Sequence, residues 1–255
     1  LLYAKKADIR FSIVKFLLKQ ITIDNISIID GKVSLKIDAN NNKNYNVLAR
    51  SDKKNKALEL NKIELINTDF EFESSKIQSK ISLNCSKINI TVKNEKSLNL
   101  QINGKAYSKE ITVYEKNYIE NKKLELNLNY SLIDRKSILK SSVLKIENLD
   151  FLLDGSLDSK NIIKLDFEGN EHSISSLMQH TPNHLKDVYT SIIADGSIDY
   201  KGSVTGEISK KKNPNLEVNY SIENGSFETK KYPFYLDKIS CVGRIKNGKE
   251  NNFQT

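Results

Sequence analysis

Three histidines, two cysteines and a scatter of carboxylates are the side chains in this 255-residue chain whose types suit chemistry. His180 and His184 stand four apart, the spacing that puts two metal ligands on one helical turn. The zinc-protease form of that motif also needs a Glu beside the first His, and Thr181 stands there instead. Pro182 lies between the pair and disturbs the turn that would align them. His172 is the third histidine. All three read as polar residues on a cap, and no metal is expected. Gly202-Ser203-Val204-Thr205-Gly206 has the glycine spacing of a nucleophile elbow, but its centre is Val204 rather than Ser. No glycine-rich loop follows a strand and opens a helix. The carboxylates fall on polar strand positions beside lysines, and no two are singled out as an acid–base pair. Cys85 and Cys241 each sit inside an alternating segment, where Cys packs as a small apolar residue. Two cysteines define no disulfide framework, so their pairing stays open. The chain is expected to be no enzyme, with no catalytic residue and no cofactor.

The net charge of +8 invites a nucleic-acid reading. The type and placement of the basic residues argue against it. Arg, the residue best shaped for phosphates and base edges, occurs only at Arg10, Arg50, Arg135 and Arg244. The lysines are scattered singly on what read as solvated strand faces. The densest run, Lys210-Lys211-Lys212, adjoins Asn213-Pro214 as a loop. Aromatics do not interleave with basic residues as a stacking platform needs. No nucleic acid is expected; attraction to anionic lipid head groups suits the same charge. No stretch of about 18 apolar residues occurs, so no segment here reads as a membrane-spanning helix. The first residue is not Met, and residues 251–255 read as a new strand, so the chain is expected to be a piece of a longer protein.

The elements that must carry these residues are strands. Val33-Leu35-Ile37, Ile88-Ile90-Val92, Leu98-Leu100-Ile102, Leu124-Leu126-Leu128, Ile163-Leu165-Phe167 and Leu216-Val218-Tyr220-Ile222 alternate with polar residues. Period two with one apolar and one wet face predicts antiparallel strands. Turn chemistry is expected at Asp30-Gly31, Asn40-Asn41-Asn42, Asn103-Gly104, Asp154-Gly155, Asn224-Gly225 and Asn247-Gly248. One pattern recurs at 21–28, 58–65, 144–151 and 234–241: two alternating apolar residues, two polar ones, then alternation one step out of phase. Four such slips predict built-in bulges. The segments 21–37 and 58–74 align without a gap as apolar and polar classes. Helix is expected only as a short turn at 11–19 and as two pieces over Ser173 to Tyr189, broken at Pro182 and capping one end of the sheet.

An apolar strand face left in water costs roughly 25 cal/mol per Å². Helices here are too few to cover it. Trp is absent and lysines are dense, which disfavours a transmembrane barrel. A sandwich, a closed barrel and an open trough that holds lipid chains remain.

Two regions resemble the AsmA-like family, to which TamB-type proteins and bridge-like lipid-transfer proteins are related. The first is Ile21 to Leu48, a slipped strand, Val33-Ser34-Leu35 and a turn carrying Asn44-Tyr45-Asn46-Val47-Leu48. The second runs from Ser173-Ile174-Ser175-Ser176-Leu177 through Gly196-Ser197-Ile198-Asp199-Tyr200-Lys201-Gly202 and Asn213-Pro214-Asn215-Leu216. It continues through Asn224-Gly225-Ser226-Phe227 to Tyr232-Pro233 and Leu236-Asp237-Lys238-Ile239. The resemblance implies an all-β fold: an elongated, twisted antiparallel sheet curled into an open taco-like groove with a short helical cap. It implies β-groove over residues 1–170 and a broken helix with continuing strands over 171–255. It further implies a Gram-negative envelope protein in the periplasm, held to the inner membrane by an N-terminal helix outside this segment. Its partners would be phospholipid acyl chains and the membranes at both ends of the parent protein. The function implied is phospholipid transport between inner and outer membranes and outer-membrane homeostasis, with no catalytic residues to carry over. The strand positions expected to line such a groove are Ile21, Ile23, Leu58, Leu60, Leu124, Leu126, Leu128, Ile163, Leu165, Phe167, Leu216 and Val218. The rival expectation is a structural or adhesive cell-surface β protein with a self-filled core and no ligand.

Overall fold

Alternation of apolar and polar residues becomes strand almost throughout. The computed structural model describes residues 2–11, 22–44, 59–94, 97–181, 191–209, 213–229 and 234–247. The chain divides into two compact units, Leu1–Ile133 and Asp134–Thr255. The first holds β1 (Leu2–Phe11), β2 (Thr22–Ile37), β3 (Glu59–Leu60), β4 (Lys62–Ser74), β5 (Ser79–Asn94), β6 (Leu98–Val113) and β7 (Lys116–Ile133). Its strands lie in the order β1-β2-β4-β5-β6-β7, with β3 beside β2. The second holds β8 (Lys136–Ile146), β9 (Leu149–Leu157), β10 (Ile162–Ser173), the helix α1 (Ile174–His180), β11 (Ile192–Glu207), β12 (Asn215–Thr229) and β13 (Phe234–Lys246). Its strands follow chain order. Residues 170 and 171 fall within this unit, inside β10, which pairs with β11. The protein is all-β with one short described helix. Among the described residues β1 and β13 each pair on one side only, so no barrel closes.

The pairing departs from a purely antiparallel sheet at one place. β2 runs parallel to β3 and β4, with Thr22 opposite Glu59, Ile26 opposite Ile63 and Ile37 opposite Ser74. Every one of these pairs is offset by the 37 positions that separate 21–37 from 58–74. The two copies therefore lie side by side and in register. Two strands pointing the same way need a long return connection, which residues 38–58 supply.

Two of the four slips shift the register of their strands, and a third interrupts its strand. Against β1 the register shifts between Arg10–Asn25 and Phe11–Ile23, which leaves Asp24 as the extra residue. Its counterpart Asn61 interrupts the strand between β3 and β4, and its side-chain amide reaches Asp24 Oδ1 at 3.3 Å. In β13 the slip falls at Lys238, φ 54°, with Ile239 opposite Gly225 and Leu236 opposite Phe227. The fourth, at 144–151, is a correction: Ile146 pairs with Leu149, so Glu147-Asn148 is a two-residue hairpin turn. Two polar residues between two apolar alternations fit both outcomes, and only pairing separates them.

The expected turns need a second correction. Asp30-Gly31, Asn103-Gly104, Asp154-Gly155 and Asn224-Gly225 lie inside β2, β6, β9 and β12. Asp30 and Asn224 adopt φ 49° and 50° within their strands, and the register shifts at Asn224, so there the left-handed residue serves a bulge rather than a hairpin. The tight turn between β6 and β7 is Tyr114-Glu115, with φ 48° and 66° and no glycine. The expected turn after β2 does form, where Asn42 N–H donates to Asp38 Oδ1 at 2.8 Å.

Candidate functional site

Cross-strand register sets which residues share a face. In the first unit Ile9, Ile26, Ile63, Ile90, Ile102 and Leu128 form one continuous row over six strands. Beside it run Ala7, Ile28, Leu65, Ile88, Gly104 and Leu126. A third row holds Thr68, Cys85, Ala106 and Leu124. Ile28, Leu65, Cys85, Ile88 and Ala106 are buried there as one cluster. Among the described residues of this unit no helix and no second sheet accompanies that face.

The second unit repeats the arrangement. Leu139, Gly155, Leu165, Val204 and Leu216 make one row; Leu153, Phe167, Gly202, Val218 and Ile245 make the next. Glycines lie under rings: a Cβ on Gly202 would sit 2.2 Å from the Phe167 ring, and one on Gly169 2.5 Å from Tyr200. Each glycine is the direct cross-strand partner of that ring, so the aromatic covers main chain that lacks a side chain of its own.

The described groove positions all fall on these apolar faces. Ile23 and Leu124 are buried, while Leu60, Leu126, Leu128, Ile163, Leu165, Phe167, Leu216 and Val218 are half-buried. Ile21 and Leu58 lie outside the described residues, as do Pro182 and His184. Register brings Leu124, Leu126 and Leu128 alongside Ala106, Gly104 and Ile102, and sets Leu165 and Leu216 on either side of Val204.

The opposite face is polar and carries several cross-strand ion pairs. Lys32 pairs with Glu71 and Lys36 with Glu73, both at 2.8 Å, and Lys109 with Asp69 at 2.9 Å. Lys80 bridges Glu110, and in the second unit Lys201 meets Glu168 at 3.1 Å. Hydrogen bonds from lysine hold the Glu73 and Asp69 carboxyls below the usual carboxylate range. Two concavities of the second unit, about 540 and 630 Å³, involve residues of this face. Asp154, Asp166, Glu168, Lys201, Ser203 and Glu217 border the first; of the expected groove positions, only Phe167 touches it. Among the described residues no group of three or more His, Cys, Asp or Glu is placed to hold a metal ion.

The polar constellation missed in the sequence surrounds His172. The ring is 4% exposed, with Nδ1 at 3.0 Å from Tyr200 Oη. The Asp150 main-chain N–H donates to Nε2 at 3.3 Å, and Asp150 Oδ1 lies 3.4 Å from the same atom. Phe151 meets the His172 ring edge-on at 5.5 Å between centroids. Burial, with the Asp150 charge adding, pushes the Tyr200 hydroxyl up. The arrangement ties β9, β10 and β11 together beside α1, with His172 and Tyr200 buried and the Asp150 carboxylate exposed. Its sequence signal was the three-residue step from Gly169 to His172 in a strand of period two. That step is a bulge at Glu171, φ 52°.

Cys85 is a buried thiol pushed up to about 11 by burial, and Cys241 is exposed; both are free. Compared with known proteins, the chain matches no family model, no curated protein and no solved structure.

Proposed function

We propose that this chain is a non-enzymatic, lipid-binding conduit segment of an envelope protein that moves phospholipids between inner and outer membranes, as its resemblance to the AsmA-like family implies. The observation that carries the reading is the apolar row over six strands in the first unit, which has no helix and no second sheet among its described residues, with like rows in the second. Such a face needs an apolar partner, at roughly 25 cal/mol for each Å² left wet. Acyl chains supply one without directional demands, while head groups stay in water. On this reading the segment works in the periplasm, with an inner-membrane anchor upstream. The polar face suits solvent, because it carries exposed charged side chains, several of them in ion pairs.

A second reading, a structural β protein with a self-filled core, draws on Leu65, Ile88 and Leu124, exposed by only 5%, 3% and 3%. Native mass spectrometry of the purified protein, with organic extraction, separates the two. Co-purifying phospholipid that falls when Leu126 and Leu165 are both changed to Glu in a folded variant supports the conduit. A lipid-free wild-type protein that unfolds cooperatively supports the self-filled core.

A further inference from the structure

His172 occupies a kind of position that elsewhere in the sheet holds a residue with no charge to gain. Asn67, Ser141 and Glu171 adopt φ 46°, 46° and 52°. The residue after each is buried: Thr68, Ser142 and His172. Thr68 and Ser142 donate their hydroxyls to main-chain carbonyls of their own strands, Ile66 O at 2.8 Å and Lys140 O at 3.3 Å. Of the three, only His172 is of a type that changes charge between about pH 5 and 8.

Main-chain pairing of β9 with β10 stops at Leu152 and Glu168. Beyond it the His172 ring stands in for a strand partner, because the Asp150 N–H donates to Nε2 at 3.3 Å. A ring nitrogen that accepts carries no proton, so the neutral ring has its hydrogen on Nδ1 and donates to Tyr200 Oη at 3.0 Å. Directly after His172, Ser173 caps α1 by accepting from the Ser176 N–H at 3.3 Å. Asn148, in the turn between β8 and β9, donates to Ser176 Oγ at 3.0 Å. One buried ring therefore joins the start of β9 to the strand that leads into α1.

A proton on Nε2 would face the Asp150 N–H, donor against donor. Asp150 Oδ1 lies 3.4 Å from the same nitrogen, on a side chain 66% exposed. For that carboxylate to accept in place of the lost contact, the Asp150 main chain has to turn from the ring. The other ionisable groups around the ring do not supply this change. Burial holds the Tyr200 proton in place, and Lys145 stands opposite Asp150 on β8. Glu171 and Asp199 meet at the bulge through the Glu171 main-chain N–H, Ser175 of α1 reaches Asp195, and the first turn of α1 has no acid. We infer that His172 is a proton-operated switch. Neutral, it holds the start of β9 against β10 and α1; protonated on both nitrogens, it releases the turn between β8 and β9. The inference goes beyond the lipid reading and does not depend on it.

The test is hydrogen exchange of the whole chain read by mass spectrometry at about pH 5 and about pH 8, corrected for the intrinsic effect of pH. Residues 146–152 should exchange about two- to tenfold faster at the lower pH, as the loss of one hydrogen bond implies. Residues 82–92 of the first unit should not respond. Nitrogen NMR shifts of the ring should place the hydrogen on Nδ1 at the higher pH. His172→Gln offers an amide oxygen to the Asp150 N–H and does not titrate, so its corrected exchange should be alike at both pH values. Asp150→Asn keeps the main-chain donor and removes the carboxylate, so the response should persist. A wild-type protein without the response, a response shared by 82–92, or a hydrogen on Nε2 at the higher pH would overturn the inference. So would a response kept in His172→Gln or lost in Asp150→Asn, the latter assigning it to the carboxylate. If the glutamine variant does not fold, the wild-type tautomer and the Asp150→Asn response still decide.

Discussion

Thr68 is fully buried on the apolar face, and its hydroxyl proton is shared between Ile66 O at 2.8 Å and Ile28 O at 3.1 Å. Thr68→Val keeps the shape and removes the donor, so it should cost about 1–2 kcal/mol in denaturant unfolding. Gly202 works by lacking a side chain. Gly202→Ala sets a methyl 2.2 Å from the Phe167 ring, and repacking should cost about 1–3 kcal/mol in the same measurement. Cys85 links packing to pH. Its thiol is pushed up to about 11 when folded, above the ordinary value, so the folded state holds a proton that the unfolded chain releases first. Stability should therefore fall as pH rises from the ordinary thiol value toward 11, by at most about 1.4 kcal/mol per unit. The decline should flatten above that point and lose this component in Cys85→Ala. Of these residues, only the Cys85 environment was legible in the sequence, from its place in an alternating strand. Thr68 and Gly202 depend on what the neighbouring strand sets against them.

At the scale of the strand, bulges decide whether an apolar residue stays on its face. Their left-handed residues are held by acids on the next strand: Glu171 N–H donates to Asp199 Oδ1 at 2.6 Å, and Ser141 N–H to Asp154 Oδ1 at 2.9 Å. A non-glycine residue at positive φ costs of order 1 kcal/mol and persists when its surroundings over-determine it. Asp199→Ala should lower stability by about 1–2 kcal/mol, and Asp199→Asn, which keeps an acceptor, by less. Amide exchange around Glu171 should speed up in the alanine variant. The slips at 21–28 and 234–241 were readable as bulges because an apolar set cannot change face without exposing itself, and the slip at 58–65 falls where Asn61 parts β3 from β4. The slip at 144–151 was not, since a hairpin gives the same residue string.

Across the whole molecule the residue types divide between two surfaces. Six aliphatic residues share one row of the first unit, while the opposite surface pairs Lys32, Lys36, Lys80 and Lys109 with carboxylates. These pairs are largely exposed, and such pairs contribute roughly 0–1 kcal/mol each. Raising salt to ~1 M should therefore leave the unfolding midpoint in urea nearly unchanged, because screening weakens only these contacts. A large loss of stability in salt would mean that the polar surface holds the fold.

The sequence by itself determined that this chain is all-β, with strands apolar on one side and polar on the other. Period two is local, and each strand carries it without reference to its neighbours. The 37-residue repeat was equally readable, but not that its two copies lie parallel and in contact. Only the tertiary structure decided that pairing, the division at 133/134, the bulge at Asn224-Gly225, and the burial of His172 against Tyr200. Each depends on which strand lies beside which, and that choice is made by contacts between residues far apart in the chain.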